Sequence, residues 1–418
     1  MSNKTKTPLV PKLRFPEFRG AGGWQPYILE ELESLGWIQL GRGEVISGQD
    51  IKAIPGDYPI YSSSVKNNGL MGTYGRFMFD EELISWSVDG GGDFFHRPHH
   101  KFSVTNVSGY MRLQTGCLNY RFLANQLQAL HASLTFDYQF KAHPSVIRKL
   151  YRLTIPSSTE QQKIADCLSS LDELIAAQAR KVDALKTHKK GLMQQIFPRE
   201  GETQPRFRFP EFKEDGLWER KLFSDLCDVK HGYAFESEFF SSEGEYVLLT
   251  PGNFYEQGGY RDRGELQKYF IGEIPLGYVL AKGDMLVAMT EQAAGLLGSP
   301  ILVPESGKFL HNQRLGLVIS KPDIAWANEF FFYVFNTDGV RKAIHDTASG
   351  AKVRHTSPTK IGDVMITVPT TLPEQQRIAS CLSSLDALIT DETQKLEVLK
   401  INRTGLMQQL FPSLEEEK

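Results

Sequence analysis

The feature that most constrains this chain is an internal repeat of 39 residues. Residues 160–198 read EQQKIADCLSSLDELIAAQARKVDALKTHKKGLMQQIFP, and residues 374–412 read EQQRIASCLSSLDALITDETQKLEVLKINRTGLMQQLFP. The copies align without a gap at an offset of 214, and 23 of the 39 positions are identical. Repeats are considered first, because a prediction that ignores an internal repeat assigns the wrong fold. The chain is therefore organised as two halves on one plan.

A shorter repeat opens each half. It reads PKLRFPEFRGAGGW at residues 11–24 and PRFRFPEFKEDGLW at residues 205–218. Between this segment and the 39-residue copy lie 135 residues in the first half and 155 in the second, and these inserts hardly resemble each other. A shared frame that carries two different inserts favours the recognition of two different targets at a fixed separation.

Both long copies have the apolar period of a helix that forms a coiled-coil seam. Gln178, Lys189, Glu392 and Arg403 are the polar exceptions, at the same two places in each copy. Ser157 and Thr371, each three residues before a glutamate, predict capping boxes. Gly191 and Gly405 indicate either the close approach of another backbone or fraying of the last turns. The apolar seam positions are Ile164, Leu168, Leu171, Ile175, Val182, Leu185, Leu192, Ile378, Leu382, Leu385, Ile389, Leu396, Leu399 and Leu406.

A helix of this length spans about 55 Å, and so long a seam rarely stays unpaired in water. We expect the two helices to pack antiparallel as a rigid spacer. The register that buries no charge against an apolar layer places Gln178 opposite Arg403 and Lys189 opposite Glu392.

Composition restricts the class of protein. The 418 residues predict two or three domains, and the polar start and the lack of long apolar runs indicate neither a signal peptide nor a membrane span. Four widely spaced cysteines, without a CxxC pair, favour a reduced, cytoplasmic protein. The net charge is −3, but residues 90–155 hold eight basic and two acidic residues, a net charge of +6. That segment could present a basic face to phosphates. The alternative is that its basic residues lie on ordinary solvated surfaces that bind nothing.

The two repeated motifs, each occurring twice, resemble the DNA-specificity subunit of type I restriction-modification systems. The resemblance covers the whole chain as an architecture and is most specific in the repeated segments. It implies that each insert is a target recognition domain for one half of an asymmetric, bipartite DNA site. The helices would set the spacing between the half-sites and dock two methyltransferase subunits, and endonuclease/translocase subunits would join the complex.

The resemblance also implies that this chain is not an enzyme. S-adenosylmethionine, ATP and Mg²⁺ would belong to the partner subunits, and no cofactor to this chain. The sequence has no Pro-Pro pair as in the methyltransferase motif, no GxxxxGK[ST] loop and no HExxH. The histidines of HRPHH at residues 96–100 have no cysteine or paired carboxylate arranged with them, so we expect no metal site.

Polar loops in the inserts are the candidate DNA readers, because arginine, lysine, asparagine and glutamine recognise base edges in the major groove. Trp86 is more typical of a core than of a reader, and turn-forming residues such as asparagine and glycine occur in loops whatever their function. The candidates are Ser63, Lys66, Asn67, Asn68, Asp89, Arg97, His99, Lys101, Tyr233, Asn253, Glu291, Gln292, Asn312, Gln313, Arg314, Lys352 and Arg354.

The predicted fold is α+β. It has two mixed α/β target recognition domains separated by two long helices packed as an antiparallel coiled coil, with an internal pseudo-twofold repeat. The boundaries are 1–156 for the first recognition domain, 157–198 for the central helix, 199–210 for a linker, 211–370 for the second recognition domain, and 371–418 for the C-terminal helix and an acidic tail. The alternatives are a stand-alone DNA-binding regulator, a scaffold for two protein ligands, and a degenerate nuclease or methyltransferase.

Overall fold

The computed structural model describes residues 9–64, 66–89, 92–114, 116–132, 134, 142–199, 201–291, 295–350 and 352–412. The chain divides into two compact units. The first consists of Met1–Arg180 together with Thr393–Lys418, and the second of Lys181–Glu392. Each unit therefore takes in a stretch of chain from the other half of the sequence.

The first unit is built around a six-stranded sheet. Its strand order is β2-β7-β5-β6-β3-β4, antiparallel except for the parallel pair β3 and β6, and β1 pairs separately with β8. The central strand β5 is buried from Leu83 to its end: β6 and β7 pair along its two edges, and helix α3 packs against it. The elements are β1 (Gln25–Ile28), α1 (Leu29–Ser34), β2 (Ile38–Arg42), α2 (Gly48–Ala53), β3 (Tyr58–Tyr61), β4 (Leu70–Tyr74), β5 (Phe79–Ser87), β6 (Phe94–Val104), β7 (Ser108–Leu113), α3 (Tyr120–Ala132), α4 (Pro144–Leu150), β8 (Arg152–Ile155) and α5 (Ser158–Ile196).

The second unit has different sheets. One has the antiparallel order β10-β18-β14-β16, a second has the order β11-β13-β12-β17, and β9 pairs with β20 and β15 with β19. The elements are β9 (Glu219–Leu222), α6 (Phe223–Leu226), β10 (Cys227–His231), β11 (Phe240–Ser241), β12 (Tyr246–Leu248), β13 (Tyr269–Phe270), β14 (Met285–Ala288), β15 (Thr290–Glu291), β16 (Pro300–Leu302), β17 (Phe309–Leu310), β18 (Leu315–Ser320), α7 (Asn328–Phe335), α8 (Asp338–Asp346), β19 (Arg354–His355), α9 (Pro358–Gly362), β20 (Met365–Val368) and α10 (Leu372–Leu410). The sheets of the two units thus differ, as the unrelated inserts predict.

A buried triad joins the two repeated segments in the first unit. Arg14 donates to both carboxylate oxygens of Glu160 at 2.7 Å, and Trp24 Nε1 donates to Glu160 Oε1 at 3.2 Å. All three residues are at most 8% exposed. Because a buried carboxylate needs charge compensation and hydrogen bonds, this triad fixes the RFPEF segment against the first turn of α5.

The second unit repeats the triad residue for residue. Arg208 donates to both oxygens of Glu374 at 2.8 Å, and Trp218 donates to the same carboxylate at 3.0 Å. The paired strands β1 with β8 and β9 with β20 are likewise equivalent. The repeated motifs therefore form one frame, which is built twice.

The ends of the long helices contribute to the cores. In the first unit, Leu410 and Phe411 from the end of α10 join the core, and Phe411 lies 5.6 Å from the ring of Phe122. In the second unit, Ile196 and Phe197 from the end of α5 do the same, with Phe197 5.7 Å from Phe330. Each core therefore holds the start of one long helix and the end of the other.

The two 39-residue helices are confirmed, and the apolar seam positions fall into distinct environments. Six of them are buried: Ile164, Leu168, Val182, Ile378, Leu382 and Leu396. The others are half-buried: Leu171, Ile175, Leu185, Leu192, Leu385, Ile389, Leu399 and Leu406. Leu192 and Leu406 pack against the domain cores. Seam residues at the ends of the helices thus serve the domains as well as the helix pair.

The predicted register is wrong. Within the second unit, Lys189 pairs with Asp386 at 2.5 Å, and Glu392 pairs with Lys181 at 3.0 Å, so Lys189 and Glu392 lie in separate layers. Within the first unit, Arg403 pairs with Asp172 rather than lying opposite Gln178. The prediction failed because it considered only seam positions, whereas long cationic side chains reach carboxylates that flank the seam.

Two local predictions also need correction. Ser157 Oγ accepts from the backbone N–H of Glu160 at 3.3 Å, but the Glu160 carboxylate is bound to Arg14, so the capping box is only half formed. In the second copy Thr371 Oγ1 is buried and has no hydrogen-bond partner among the described residues, so that box is absent.

No other backbone that the structure describes closely approaches the helix glycines, and the helices do not end at them. A Cβ added at Gly191 or Gly405 would meet nothing within 4 Å in the described structure, and both helices continue beyond these residues to Ile196 and Leu410. Among the described residues, no helix is long and apolar enough to cross a membrane.

Candidate nucleic-acid interface

In the first unit, residues 62–64 and 66–69 belong to a loop between β3 and β4. Ser62 N donates to Gly69 O at 2.8 Å and closes the loop. Asn67 and Asn68 have φ angles of 55° and 52°, in the left-handed region that asparagine tolerates better than most residues. The side chains of Lys66, Asn67 and Asn68 are exposed, so the loop presents one cation and two amides to solvent.

Arg97 lies beneath this loop and is 4% exposed. Its Nη2 donates to Asn68 O at 2.7 Å, its Nε donates to Ser85 Oγ at 2.8 Å, and its guanidinium lies 3.6 Å from the centre of the Tyr61 ring. Burial lowers the pKa of Arg97 to about 10. The prediction of Arg97 as a base reader is therefore corrected: it supports the loop and does not face solvent.

Strand β6 of the same sheet exposes His99 and Lys101. His99 lies 4.0 Å from Asp80, and the Lys101 ammonium lies 4.8 Å from the Phe77 ring. Ser63 is half-buried and its carbonyl accepts from Ser87 Oγ at 2.8 Å, while Asp89 is exposed at the end of the strand hairpin. These positions leave the amides of the loop and Lys101 as the polar groups best placed for a ligand.

The excess of positive charge in residues 90–155 is partly neutralised in the fold. Arg112 forms a two-pronged ion pair with Glu81, and Arg148 forms one with Glu33. Acidic residues of the preceding segment therefore compensate basic residues of this one. The basic face is smaller than the sequence alone indicates.

In the second unit, a compact group of exposed polar side chains lies where β14 and β18 meet their connecting turns. Tyr233 N donates to His311 O, and Gln313 N donates to Tyr233 O, both at 2.9 Å. Met289, directly after β14, donates its N–H to Arg314 O at 3.0 Å. Gln313 and Arg314 are exposed, and Tyr233 is 38% exposed.

The short strand β19 lies at the same end of the sheet, because it pairs with β15 directly after Met289. Lys352, just before it, is exposed. His355 is also exposed and contacts Thr290 Oγ1 at 3.2 Å. The fold therefore places Tyr233, Gln313, Arg314 and Lys352, from three separate stretches of sequence, towards the same end of this sheet.

Asn253 and Asn312 are buried and support the backbone rather than face solvent. Asn253 is 0% exposed and donates to Gln267 Oε1 at 2.9 Å. Asn312 is 4% exposed and accepts from Arg314 N at 3.0 Å. Both were predicted as readers, and both instead bind atoms of their own turns.

Glu291 and Arg354 are also bound within the fold. Glu291 is 2% exposed, and its Oε2 accepts three backbone N–H groups at 2.9–3.1 Å. Arg354 is half-buried against His345. The prediction of a direct reader is corrected for these two as well, and Gln292 lies outside the described residues. Trp86, 1% exposed, is a core residue as expected.

Among the described residues, no three histidine, cysteine, aspartate or glutamate side chains come together to hold a metal. The HRPHH histidines have other contacts: His96 lies 2.6 Å from Glu82, and His100 stacks on Phe102 with ring centres 4.6 Å apart. His99 points to solvent, with its side chain 70% exposed.

Sequence reasoning missed two aspartates that bind the long helices together, Asp172 and Asp386. Both lie in the LSSLD segment and are identical between the copies. That identity at a polar position is the signal in the sequence, and the apolar period of the seam does not report it.

The comparison with family models finds the type I restriction modification DNA specificity domain twice, at residues 23–187 and 216–400. The chain belongs to this family. The two matched stretches coincide with the two halves that the repeat defines, and together they cover most of the chain.

Related proteins agree with this assignment. The chain is 22% identical to the specificity subunit of the type I restriction enzyme MjaVIII of Methanocaldococcus jannaschii over 372 residues, which is 86% of each chain. It is 33% identical to a putative type I specificity subunit of Mycoplasma pneumoniae over 141 residues, which is 33% of this chain and 38% of that one. The chain is thus a specificity subunit of a type I restriction-modification system.

Two solved structures share the fold. The specificity subunit of a type I restriction-modification system from M. genitalium matches 97% of this chain and 100% of its own, with a TM-score of 0.61 and 16% identity. A chain from a study of complex assembly and conformational transition of a type I system matches 94% of this chain and 98% of its own, with a TM-score of 0.54 and 14% identity. At these identities the likeness is one of fold.

Proposed function

We propose that each half of this subunit reads one half of a split, asymmetric DNA site. The observation that supports this most is the contrast between frame and insert. The Arg–Trp–Glu triads are the same in both units, whereas the sheets and the exposed polar residues differ. Two identical readers would suit a palindrome, and two different readers on one frame suit an asymmetric site.

In the first half, the proposed readers are Lys66, Asn67 and Asn68 on the loop and Lys101 on β6. The exposed amides suit base edges, and the ammonium groups suit phosphates. In the second half, Gln313 and Arg314 are the proposed base readers, and Tyr233 and Lys352 flank them. A glutamine side chain forms bidentate hydrogen bonds with adenine, and an arginine side chain forms them with guanine.

The long helices are proposed to pack as an antiparallel coiled coil that sets the half-site spacing. Three ion pairs support this arrangement. Within the second unit, Lys189 pairs with Asp386 and Lys181 with Glu392, so the partner's number rises as the residue number on α5 falls. The pair Asp172–Arg403 in the first unit follows the same rule. The relation between the copies is then a pseudo-twofold repeat.

The same proposal assigns the chemistry to other chains. Two methyltransferase subunits would dock on the helices, and endonuclease/translocase subunits would complete the complex. S-adenosylmethionine, ATP and Mg²⁺ would be bound by those partners, and this chain would need no cofactor. The subunit would thus direct methylation and cleavage without catalysing either.

Mapping methylated bases in the host genome, with and without this subunit, tests the proposal. We expect one split motif to disappear when the subunit is removed. Gln313→Ala with Arg314→Ala should relax one half of the motif only, and Asn67→Ala with Asn68→Ala the other half only. A palindromic motif, or one in which each double variant alters both halves, would contradict it. Tight, sequence-specific binding by the chain alone would favour a stand-alone regulator.

A further inference from the structure

Each unit contains a three-residue cluster in which the two long helices meet the recognition domain. In the second unit it consists of Lys189 of α5, Asp386 of α10 and Tyr333 of α7. In the first unit it consists of Arg403 of α10, Asp172 of α5 and Asn125 of α3. We call these the lysine clasp and the arginine clasp.

The clasps occupy equivalent positions. Asp172 and Asp386 are separated by 214 residues, as are Lys189 and Arg403, which is the offset of the repeat. The third members also correspond. Glutamine side chains at the start of α5 and α10 accept from the backbone N–H of residues 119 and 327, and Asn125 and Tyr333 lie six residues after these.

The two clasps satisfy the carboxylate of their aspartate with different hydrogen-bond donors. The Arg403 guanidinium donates to both oxygens of Asp172, and its Nη2 also donates to Asn125 Oδ1 at 3.1 Å. An arginine fork satisfies a carboxylate by itself. The recognition domain here supplies an acceptor, because the amide nitrogen of Asn125 is already bound to Arg121 O at 2.9 Å.

Lysine is a point donor and has no fork. Lys189 Nζ donates to Asp386 Oδ1 at 2.5 Å, and the second oxygen accepts from the Tyr333 hydroxyl at 2.8 Å. The recognition domain here supplies a donor. Burial, and then the Asp386 carboxylate, raise the pKa of Tyr333, so the hydroxyl keeps its proton.

We propose that Tyr333 and Asn125 are positioning residues that match each recognition domain to the helix cation it meets, and so fix the half-site spacing. The match is chemical: a donor accompanies lysine and an acceptor accompanies arginine. This inference rests on the proposed function, because it names the residues through which the helix pair would hold each reader.

Tyr333→Phe tests the lysine clasp without opening a cavity. The assay is methylation by the assembled complex of a series of DNAs in which the two half-sites are separated by the natural spacer, or by one or two base pairs more or fewer. We expect discrimination between the natural spacer and its neighbours to fall about tenfold. Tyr269→Phe, a half-buried tyrosine of β13 outside the clasp, is the matched control and should not change it.

Lys189→Arg combined with Tyr333→Phe should restore the discrimination, because an arginine fork engages both oxygens of Asp386 and no longer needs the hydroxyl. Arg403→Lys should relax the spacer in the same way in the other unit, because it removes the second donor to Asp172. Thermal unfolding of each variant separates loss of stability from loss of spacer preference.

An unchanged spacer profile in Tyr333→Phe and Arg403→Lys, or a double variant that regains stability but not spacer preference, would overturn the proposal. If the unaltered complex methylates no split site at all, that result contradicts the proposed function itself and is distinguishable from a failure of the clasp proposal.

Discussion

Replacing Glu160 by alanine should destabilise the first unit strongly. The carboxylate is 1% exposed and accepts three hydrogen bonds, two from Arg14 and one from Trp24. Removing one partner of a buried ion pair costs about 3–5 kcal/mol, because the other charge is left uncompensated. Arg14 keeps its bonds to the carbonyls of Ala21 and Gly22 at 3.0 Å, so we expect a value near the lower end of that range.

The chain offers a matched control in the same unit. Glu17 pairs with Lys163 at 3.2 Å, but both side chains are about half exposed, and water and salt screen such a surface pair so that it contributes little to stability. Glu17→Gln should therefore leave the free energy of unfolding nearly unchanged. The quantity to be measured is the difference in the loss of stability between the variant of the buried pair and the variant of the exposed pair.

Hydrogen exchange read by mass spectrometry suits this test, because the two compact units need not unfold together. In Glu160→Ala, peptides covering β1 and β8 should exchange faster, and those covering β9 and β20 should not. Glu374→Ala should produce the reverse pattern. Equal effects of Glu160→Ala and Glu17→Gln, or faster exchange in both units alike, would refute the assignment of the triads as independent anchors.

Three further predictions concern the interface and the pH dependence. Arg314→Ala should weaken binding by about 1–3 kcal/mol and relax the base preference in one half-site only, as measured by a competition assay with single-base substitutions. Lys101→Ala should weaken binding to all sequences alike and lower the salt slope of the affinity by about 1, which titration at several salt concentrations measures. Burial lowers the pKa of His311 to about 4, so below pH 6.5 the unfolded chain binds a proton that the folded unit does not. The second unit should therefore lose on the order of 3 kcal/mol of stability between pH 6.5 and pH 4, and His311→Gln should remove this part of the loss in urea unfolding.

The frame was accessible from the sequence because it occurs twice. Identity at an offset of 214 and the apolar period fixed the two long helices to within about two residues of their observed ends. The triads were not foreseen, although their members lie in the repeated motifs. Nothing in a local pattern tells that Glu160 binds Arg14, 146 residues away, rather than its own helix terminus.

The helix register was predicted wrongly for a related reason. Seam positions alone favoured Lys189 opposite Glu392, since that pairing avoided a charge in an apolar layer. The fold instead satisfies each charge from beside the seam, with Asp386 for Lys189 and Lys181 for Glu392. Flanking positions on a helix cannot be ranked as partners until the packing angle is known.

Candidate readers were the least predictable part. Arg97, Asn253, Asn312 and Glu291 have the side chains of readers, but the fold buries them as supports for turns. A polar residue in a loop sequence can face solvent or hold the loop, and composition does not distinguish the two. Gln313 and Arg314, one and two residues beyond the buried Asn312, are exposed.

The most direct test of the account lengthens both helices between the two clasps. Four residues inserted after Ala179 and four after Thr393, equivalent places in the repeat, keep Asp172 with Arg403 and Lys189 with Asp386. One added helical turn is about 5.4 Å, so methylation mapping should find both half-site sequences unchanged and the spacer one to two base pairs longer. An insertion after Ala179 alone should misalign the pairs and abolish methylation. An unchanged spacer in the paired variant would contradict the account.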